Sequence, residues 1–107
     1  MIVVNRFRVP DADADGFAEQ LHVARAALAE QAGYVDGRIG RNVDDPQLWV
    51  LTTTWVNVGS YRRALSAYDV KVTAVPLLSQ AIDEPSAYES VEPGGHGPNE
   101  ARPRSLA

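Results

Sequence analysis

The sequence contains no cysteine, which excludes disulfide bonds, thiolate nucleophiles and any metal site that depends on sulfur ligands. Its two histidines, His22 and His96, lie far apart in the chain, so we do not expect a metal site built from several imidazoles. No apolar run approaches the ~18 residues that a membrane-spanning helix needs. The N-terminal residues also lack the basic start and long apolar core of a signal peptide. We therefore expect a cytoplasmic protein with no metal ion and no membrane partner.

The charge of the chain is modest. The formal net charge is −4, and the Lys and Arg residues are scattered, which argues against nucleic acid as a partner. The length of 107 residues and the apolar fraction of 45% fit one globular domain. From residue 93 onward the sequence is rich in Pro and Gly and has no apolar periodicity. We predict a domain over residues 1–92 and a flexible tail over residues 93–107.

Four segments have the composition of β-strands: residues 2–9, 34–42, 47–56 and 87–91. The first is rich in Val and Ile and ends at Pro10, and the second is weakened by two glycines. The third alternates most clearly, so that one set of its residues must share a face. That set is Trp49, Leu51, Thr53 and Trp55.

Helical spacing separates these strands. Three aspartates within residues 11–15 provide the chemistry of a helix start, and apolar residues then recur three or four apart up to Ala32. Gly33 stands where a C-terminal glycine cap is expected. Asn57 is positioned to cap a second helix, and a further helical piece over residues 69–78 is interrupted before Pro76.

This order, βαββαβ, predicts an α+β ferredoxin-like fold with a four-stranded antiparallel sheet and its helices on one face. If Phe7 and Trp55 point toward the helices, the opposite face of the sheet is partly apolar. The apolar residues of that face are Ile2, Val4, Leu48 and Val50. An apolar sheet face without helices favours a partner, and we expect a homodimer packed sheet on sheet.

Three motifs carry a resemblance to a known family. They are the opening strand over residues 3–10, with an amide inside it and a proline at its end; the Ala-Gly-Tyr start of the second strand; and a strand ending in Trp55, with Tyr61 six residues later. Together and in this order they resemble the antibiotic biosynthesis monooxygenase (ABM) domain, which has the dimeric α+β barrel fold. The resemblance covers residues 2–91.

The resemblance implies a pocket between the sheet and the helices of each subunit. Members of the family oxidise small aromatic molecules of the phenol, quinol or polyketide type with O2 and without a metal or flavin. We therefore interpret the protein as a cofactor-independent monooxygenase-like enzyme whose partners are a second copy of itself, a small aromatic or hydrophobic molecule and molecular oxygen.

Three residues match positions that carry chemistry in the family, and each also has a structural interpretation. The Asn5 amide could donate a hydrogen bond to a substrate oxygen, or bond to neighbouring backbone. Trp55 could donate its indole N–H and stack on a flat substrate, or pack in the core. The Tyr61 phenol could orient an ionised substrate, or pack on a helix with its hydroxyl in water.

Five further residues are predicted to contact substrate: Phe7, His22, Arg25, Leu51 and Tyr68. A neutral His22 could remove a phenolic proton near pH 7, and Arg25, one turn later, could attract an anion; both could equally be solvated. Leu51 stands where polyketide-oxidising members carry an asparagine, so their detailed mechanism does not transfer directly.

Two other functions stay open from the sequence. The first is a non-catalytic dimeric domain that binds a small molecule or regulates a partner. The second is haem degradation, because a sister branch of the family degrades haem. In that branch a tryptophan and a histidine ligand stand near the positions of Ala64 and Ala74, and alanine cannot ligate iron. Tyr68 is the nearest oxygen ligand.

Overall fold

A computed structural model describes residues 1–93. The predicted tail from residue 94 onward, with His96, lies outside the described residues. The strands and helices, in chain order, are β1 (Ile2–Arg8), α1 (Ala14–Ala29), β2 (Tyr34–Arg41), β3 (Leu48–Trp55), α2 (Val58–Leu65), α3 (Tyr68–Thr73), α4 (Val75–Leu78) and β4 (Ala87–Tyr88). No helix within residues 1–93 is long and apolar enough to cross a membrane.

The four strands form one antiparallel sheet in the order β2-β3-β1-β4. This is the ferredoxin-like α+β arrangement that the element order predicts. The central pair is β1 and β3, with Phe7 opposite Trp49 and Asn5 opposite Leu51. The region predicted as helical with an interruption before Pro76 forms two short helices, α3 and α4. Pro76 lies at the start of α4, where its missing N–H costs no helical hydrogen bond.

Strict alternation along β3 gives the sheet two different faces. Its odd-numbered residues, Trp49 to Trp55, are buried beneath the helices, and its even-numbered residues are half-buried. We call the buried side the inner face and the other side the outer face. The outer face carries Ile2, which is 39% exposed, together with the half-buried Val4 and Val50. No helix of the described chain covers this apolar outer face.

The core lies between the inner face and the helices. Buried side chains of β1 and β3 meet buried side chains of α1, α3 and α4, and Ala64 of α2 joins them. Burying one such side chain contributes about 1.5–3 kcal/mol. The main members of this layer are Val3, Phe7, Leu21, Ala24, Leu28, Leu51, Trp55, Val70, Ala74 and Leu77.

The first helix differs from its prediction at both ends. A 3-10 turn at Asp11–Asp13 precedes it, and the Asp13 side chain makes no capping hydrogen bond. The helix ends at Ala29, so Gly33 is not its cap. Gly33 instead starts the path into β2 with a φ of 91°, a backbone conformation that favours glycine. A side chain at Gly33 would also overlap Ser60 of α2.

The last strand is shorter than predicted. It covers Ala87 and Tyr88 rather than residues 87–91, and these two residues pair with Val3 and Ile2. Because the pairing is antiparallel, the chain after Tyr88 runs past the beginning of β1. No backbone of β1 is left there for it to pair with.

The predicted cap at Asn57 is confirmed, because its Oδ1 accepts a hydrogen bond of 2.8 Å from the Ser60 N–H at the start of α2. We expect Asn57→Ala to lower the free energy of unfolding by about 1 kcal/mol, since the first turn of α2 loses this acceptor. Urea unfolding measures the change. Asn57→Asp, which keeps an acceptor, is the control, and equal losses in both variants would contradict the capping role.

Candidate functional site

Polar groups interrupt the otherwise apolar inner face in its middle. Asn5 on β1 and Thr53 on β3 lie there, and Gly37 on β2, opposite Thr53, contributes no side chain. Aromatic residues flank this strip at both ends. Phe7 and Trp49 lie at one end and Trp55 lies at the other. The strip is the part of the inner face where a ligand would find hydrogen-bonding groups.

Trp55 is the centre of an aromatic cluster of three residues, which we call the Trp55 cluster. Its ring lies 5.4 Å from that of Tyr34, edge to face at 90°, and 5.6 Å from that of Tyr61. Trp55 itself is only 1% exposed. Its indole N–H donates a 2.9 Å hydrogen bond to Thr53 Oγ1, so the donor that the sequence analysis offered to a ligand has a partner within the protein.

Tyr61 joins the Trp55 cluster from helix α2. It is half-buried, and burial raises the pKa of its phenol, so the hydroxyl stays protonated at neutral pH. The hydroxyl makes no hydrogen bond to another residue within 1–93. Tyr61 therefore presents a free donor beside Trp55.

Asn5 lies in a neighbouring cavity. It is half-buried, and its amide makes no hydrogen bond to another described residue. The cavity has a volume of about 300 Å³ and is lined also by residues of α4 and of the segment before β4, including Ser79, Ile82 and Ser86. Trp55 lies four residues along β3 from Leu51, the partner of Asn5, which places it about 13 Å away along the strand. Thus the structure brings Trp55 and Tyr61 together and places Asn5 apart from them.

Phe7 and Leu51 are packed in the core, each 1% exposed. The Phe7 ring lies 5.1 Å from that of Phe17 on α1, and Phe17 in turn contacts Trp49 at 6.0 Å. These side chains belong to the hydrophobic core or pack against it. A ligand would reach them only if the helices moved.

The remaining predicted contact residues lie nearer the surface. His22 is exposed on α1, and its Nδ1 is 3.4 Å from Nη2 of the half-buried Arg25. Tyr68 is 78% exposed at the start of α3. Arg25 and His22 thus form a pair on α1, whereas Tyr68 is separate from the inner face.

The positions compared with haem-degrading proteins are occupied by core residues. Ala64 and Ala74 are buried and contribute only methyl groups. Within residues 1–93, no three His, Asp or Glu side chains lie together in a way that could hold a metal ion. Because alanine cannot ligate iron, these two positions do not fit a haem ligand set.

Tyr34 is a site residue that the sequence analysis did not single out. It begins β2 opposite Trp55, at a register shift between Tyr34 and Asp36. Its hydroxyl occupies the space where a side chain at Gly37 would be, and the Arg25 side chain borders the same space. Partial burial raises the pKa of Tyr34, and the nearby Arg25 charge opposes that effect. The sequence signal that could have identified Tyr34 is its place as an aromatic residue directly after Gly33.

A larger cavity, of about 490 Å³, lies on the helical side of the molecule. Residues of α1, including Glu19 and Val23, line it together with residues around α3 and α4, including Thr73, Pro76 and Gln80. None of the predicted site residues lines it. The predicted site residues and this cavity therefore lie in different parts of the molecule.

The strand order and the helices on the inner face define a small α+β domain of the ferredoxin-like class. The sequence profile of the antibiotic biosynthesis monooxygenase family, ABM, matches residues 1–74. The protein therefore belongs to the ABM family, which confirms the resemblance drawn from the sequence. No curated protein matches the sequence closely enough to be significant.

Solved structures support this assignment. SnoaB, a cofactor-independent oxygenase from Streptomyces nogalater, is 29% identical over 75% of this chain and 80% of its own, with a TM-score of 0.63. An asparagine-to-alanine variant of SnoaB is 28% identical over 76% and 82% of the two chains, with a TM-score of 0.65. A conserved protein from Methanosarcina mazei shares the fold at 19% identity, with 80% and 84% coverage and a TM-score of 0.66.

The position of the Tyr34 hydroxyl can be tested through two glycines of β2. A Cβ at Gly37 would overlap that hydroxyl, whereas a Cβ at Gly40, on the outer face, would meet Val50 Cγ1 at an ordinary 3.4 Å. Neither glycine has a positive φ. We expect Gly37→Ala to lower the free energy of unfolding by about 1–3 kcal/mol through overpacking.

The control for this experiment is Gly40→Ala, which should stay within about 0.5 kcal/mol of the wild type in the same thermal or urea unfolding assay. Adding Tyr34→Phe to Gly37→Ala should recover part of the loss, because the hydroxyl oxygen is removed. Equal stability of the two glycine variants would mean that the Tyr34 hydroxyl does not lie over Gly37.

Proposed function

We propose that the protein is a cofactor-independent monooxygenase that oxidises a small aromatic substrate of the phenol, quinol or polyketide type with O2. Membership in the ABM family supports monooxygenase-like function in general, and the similarity to SnoaB supports oxygen chemistry without a cofactor. The observation that carries the aromatic substrate is the Trp55 cluster, where two half-buried tyrosines pack on one tryptophan and their hydroxyls have no hydrogen-bond partner within residues 1–93.

The reaction needs little from the protein beyond binding and orientation. An ionised phenol or enol donates an electron to O2, and the resulting radical pair combines to a peroxide at the adjacent carbon. Loss of water then converts a CH2 group to C=O, so that CH2 and O2 become C=O and H2O. One oxygen atom enters the product and the other enters water, and the substrate supplies all the electrons.

The proposed roles follow from which groups are free. Tyr61 donates its hydroxyl hydrogen to the substrate oxygen and favours the ionised form. Trp55 holds the tyrosine rings in place, while Asn5, in the neighbouring cavity, has a free amide that can bind a second oxygen. His22 is the one imidazole within residues 1–93 and is the candidate base for the phenolic proton. Exclusion of water between sheet and helices strengthens each of these contacts.

A second candidate function is a non-catalytic domain that binds a small hydrophobic molecule. The hydrogen bond from the Trp55 indole to Thr53 favours it, because this donor is not free for a ligand. Leu51 favours it too, since the resemblance places an asparagine there in polyketide-oxidising members. The two functions share a ligand class and differ in whether the ligand reacts.

Oxygen uptake with a panel of anthrone and quinol substrates tests the enzyme. We expect turnover with one atom of labelled O2 in the product, and Tyr61→Phe should lower kcat/KM about tenfold to a hundredfold, since it removes one hydrogen bond to a developing anion. Tyr88→Phe is the matched control, because Tyr88 is exposed on β4 and its hydroxyl bonds to Pro85 O. Saturable thermal stabilisation by these compounds without oxygen uptake would favour the binding domain instead.

We further propose that the protein works as a homodimer packed through the outer face of the sheet. In the described part of the chain, helices cover the inner face alone. The outer face combines two threonines of β3 with the apolar residues Ile2, Val4, Leu48 and Val50. A sheet with one apolar face open to water gains from burial against a second copy. Such a contact would pack the outer faces of two sheets together without involving any residue of the Trp55 cluster.

Sedimentation of Val50→Arg tests the dimer. The substitution places a charge in the middle of the outer face, beside Arg6 on β1, and its repetition in the second copy should shift the protein to monomer. Val43→Arg is the control, because Val43 is 96% exposed in the turn between β2 and β3. A monomeric wild type, or a Val50→Arg protein that stays dimeric with a native circular-dichroism spectrum, would exclude this interface.

A further inference from the structure

We propose that Tyr34 and Arg25 together bind the anionic oxygen of the ligand, which makes them the specificity-determining pair of the site. This inference rests on the proposed ligand-binding function of the Trp55 cluster. It concerns recognition, and it applies whether the bound molecule then reacts with O2 or not.

The first observation is the direction of the Tyr34 side chain. Tyr34 stands opposite Trp55, and its ring meets the indole edge to face at 90° with centroids 5.4 Å apart. From there the ring extends along β2, and its hydroxyl lies over Gly37, on the polar strip of the inner face. Only a residue without a Cβ at position 37 leaves room for this hydroxyl.

The second observation is the approach of Arg25 from helix α1. Its Cδ lies 3.3 Å from the point that a Cβ at Gly37 would occupy, the same point that the Tyr34 hydroxyl overlaps. The arginine side chain therefore borders the phenol. A strand residue and a helix residue therefore meet over one glycine. Tyr34 brings its hydroxyl there, and Arg25 brings its aliphatic Cδ, with the guanidinium near enough for its charge to act against the raised pKa of Tyr34.

The third observation is that no acceptor balances these donors. Three other arginines are paired with carboxylates: Arg6 with Glu84, Arg8 with Asp45 and Arg38 with Asp36. Arg25 has no carboxylate partner within residues 1–93, and its one hydrogen-bond contact is the His22 ring nitrogen at 3.4 Å. The Tyr34 hydroxyl has no hydrogen-bond partner among the same residues.

A guanidinium and a phenol with free donors recognise a negatively charged oxygen, because charge-assisted hydrogen bonds are the strong ones. The Tyr34 ring, which packs on Trp55, favours a flat ring as the carrier of that oxygen. The ligand class is thus an aromatic ring with an ionised oxygen. A phenolate and an aromatic carboxylate both satisfy it, and experiment can separate them.

Binding of three anthraquinones tests the pair without any turnover. Alizarin carries an ionised phenol at mildly alkaline pH, its dimethyl ether has the same rings without charge, and anthraquinone carboxylate carries the anion on a carboxyl group. Titration of the wild type should give alizarin or the carboxylate a Kd at least about tenfold lower than the ether. The anion that binds more tightly identifies the chemical source of the oxygen.

Variants then assign the effect to residues. Tyr34→Phe and Arg25→Gln should each weaken binding of the preferred anion about tenfold and change binding of the ether less than about twofold. Gly37→Ala should act like Tyr34→Phe, because the added methyl group displaces the hydroxyl. Gly40→Ala and Tyr88→Phe are the matched controls, with binding close to that of the wild type.

Two results would overturn the proposal: equal loss of anion and ether binding in Tyr34→Phe, which would indicate ring packing only, or no preference for the anions in the wild type. Oxygen uptake by a protein with either result would leave the oxygenase function standing without this pair. Conversely, anion selectivity that depends on Tyr34 and Arg25, in a protein that consumes no oxygen, would support the pair and contradict the oxygenase.

Discussion

The alternation of side chains along β3 is the constraint on which the rest of the structure depends. Because β3 lies between β1 and β2, its inner residues touch both neighbours and the helices above them. Trp49 and Leu51 belong to the core, and Thr53 places a hydroxyl in the middle of the inner face. The rings of two tyrosines pack on Trp55. A shift of one residue in this register would reverse the faces and remove both core and site.

The same packing that stabilises the fold also decides which polar groups remain for a ligand. Thr53 Oγ1 accepts the hydrogen bond of the Trp55 indole N–H, so Trp55 has its ring, and not its N–H, for contact with a ligand. Within residues 1–93 the hydroxyls of Tyr34 and Tyr61 have no hydrogen-bond partner, and Arg25 contacts only the His22 ring nitrogen. All three side chains are donors, and this common polarity is the physical basis of the proposed preference for an anionic oxygen.

The two faces of the sheet carry different kinds of side chain. The inner face holds the core and the polar groups, whereas the outer face has apolar side chains and no covering helix in the described chain. A small domain has little core to spare, so burial of that face in the proposed dimer would add stability where a single chain is weakest. In the proposals above, the outer face carries the dimer contact and the inner face carries the ligand-binding groups, so the two roles use different residues.

The sequence by itself determined the elements with local signals: the alternation of β3, the Asn57 cap, the fold class and the family, carried by motifs at Asn5, Gly33 and Trp55. The ends of the first helix and the short length of β4 could not be predicted from the sequence, because they depend on where other elements begin and end. Only the tertiary structure decided that Trp55 donates to Thr53 and that Asn5 lies in a separate cavity. The meeting of Tyr34 with Arg25 over Gly37 joins residues of a strand and a helix, and no spacing rule along the chain predicts a contact made in three dimensions.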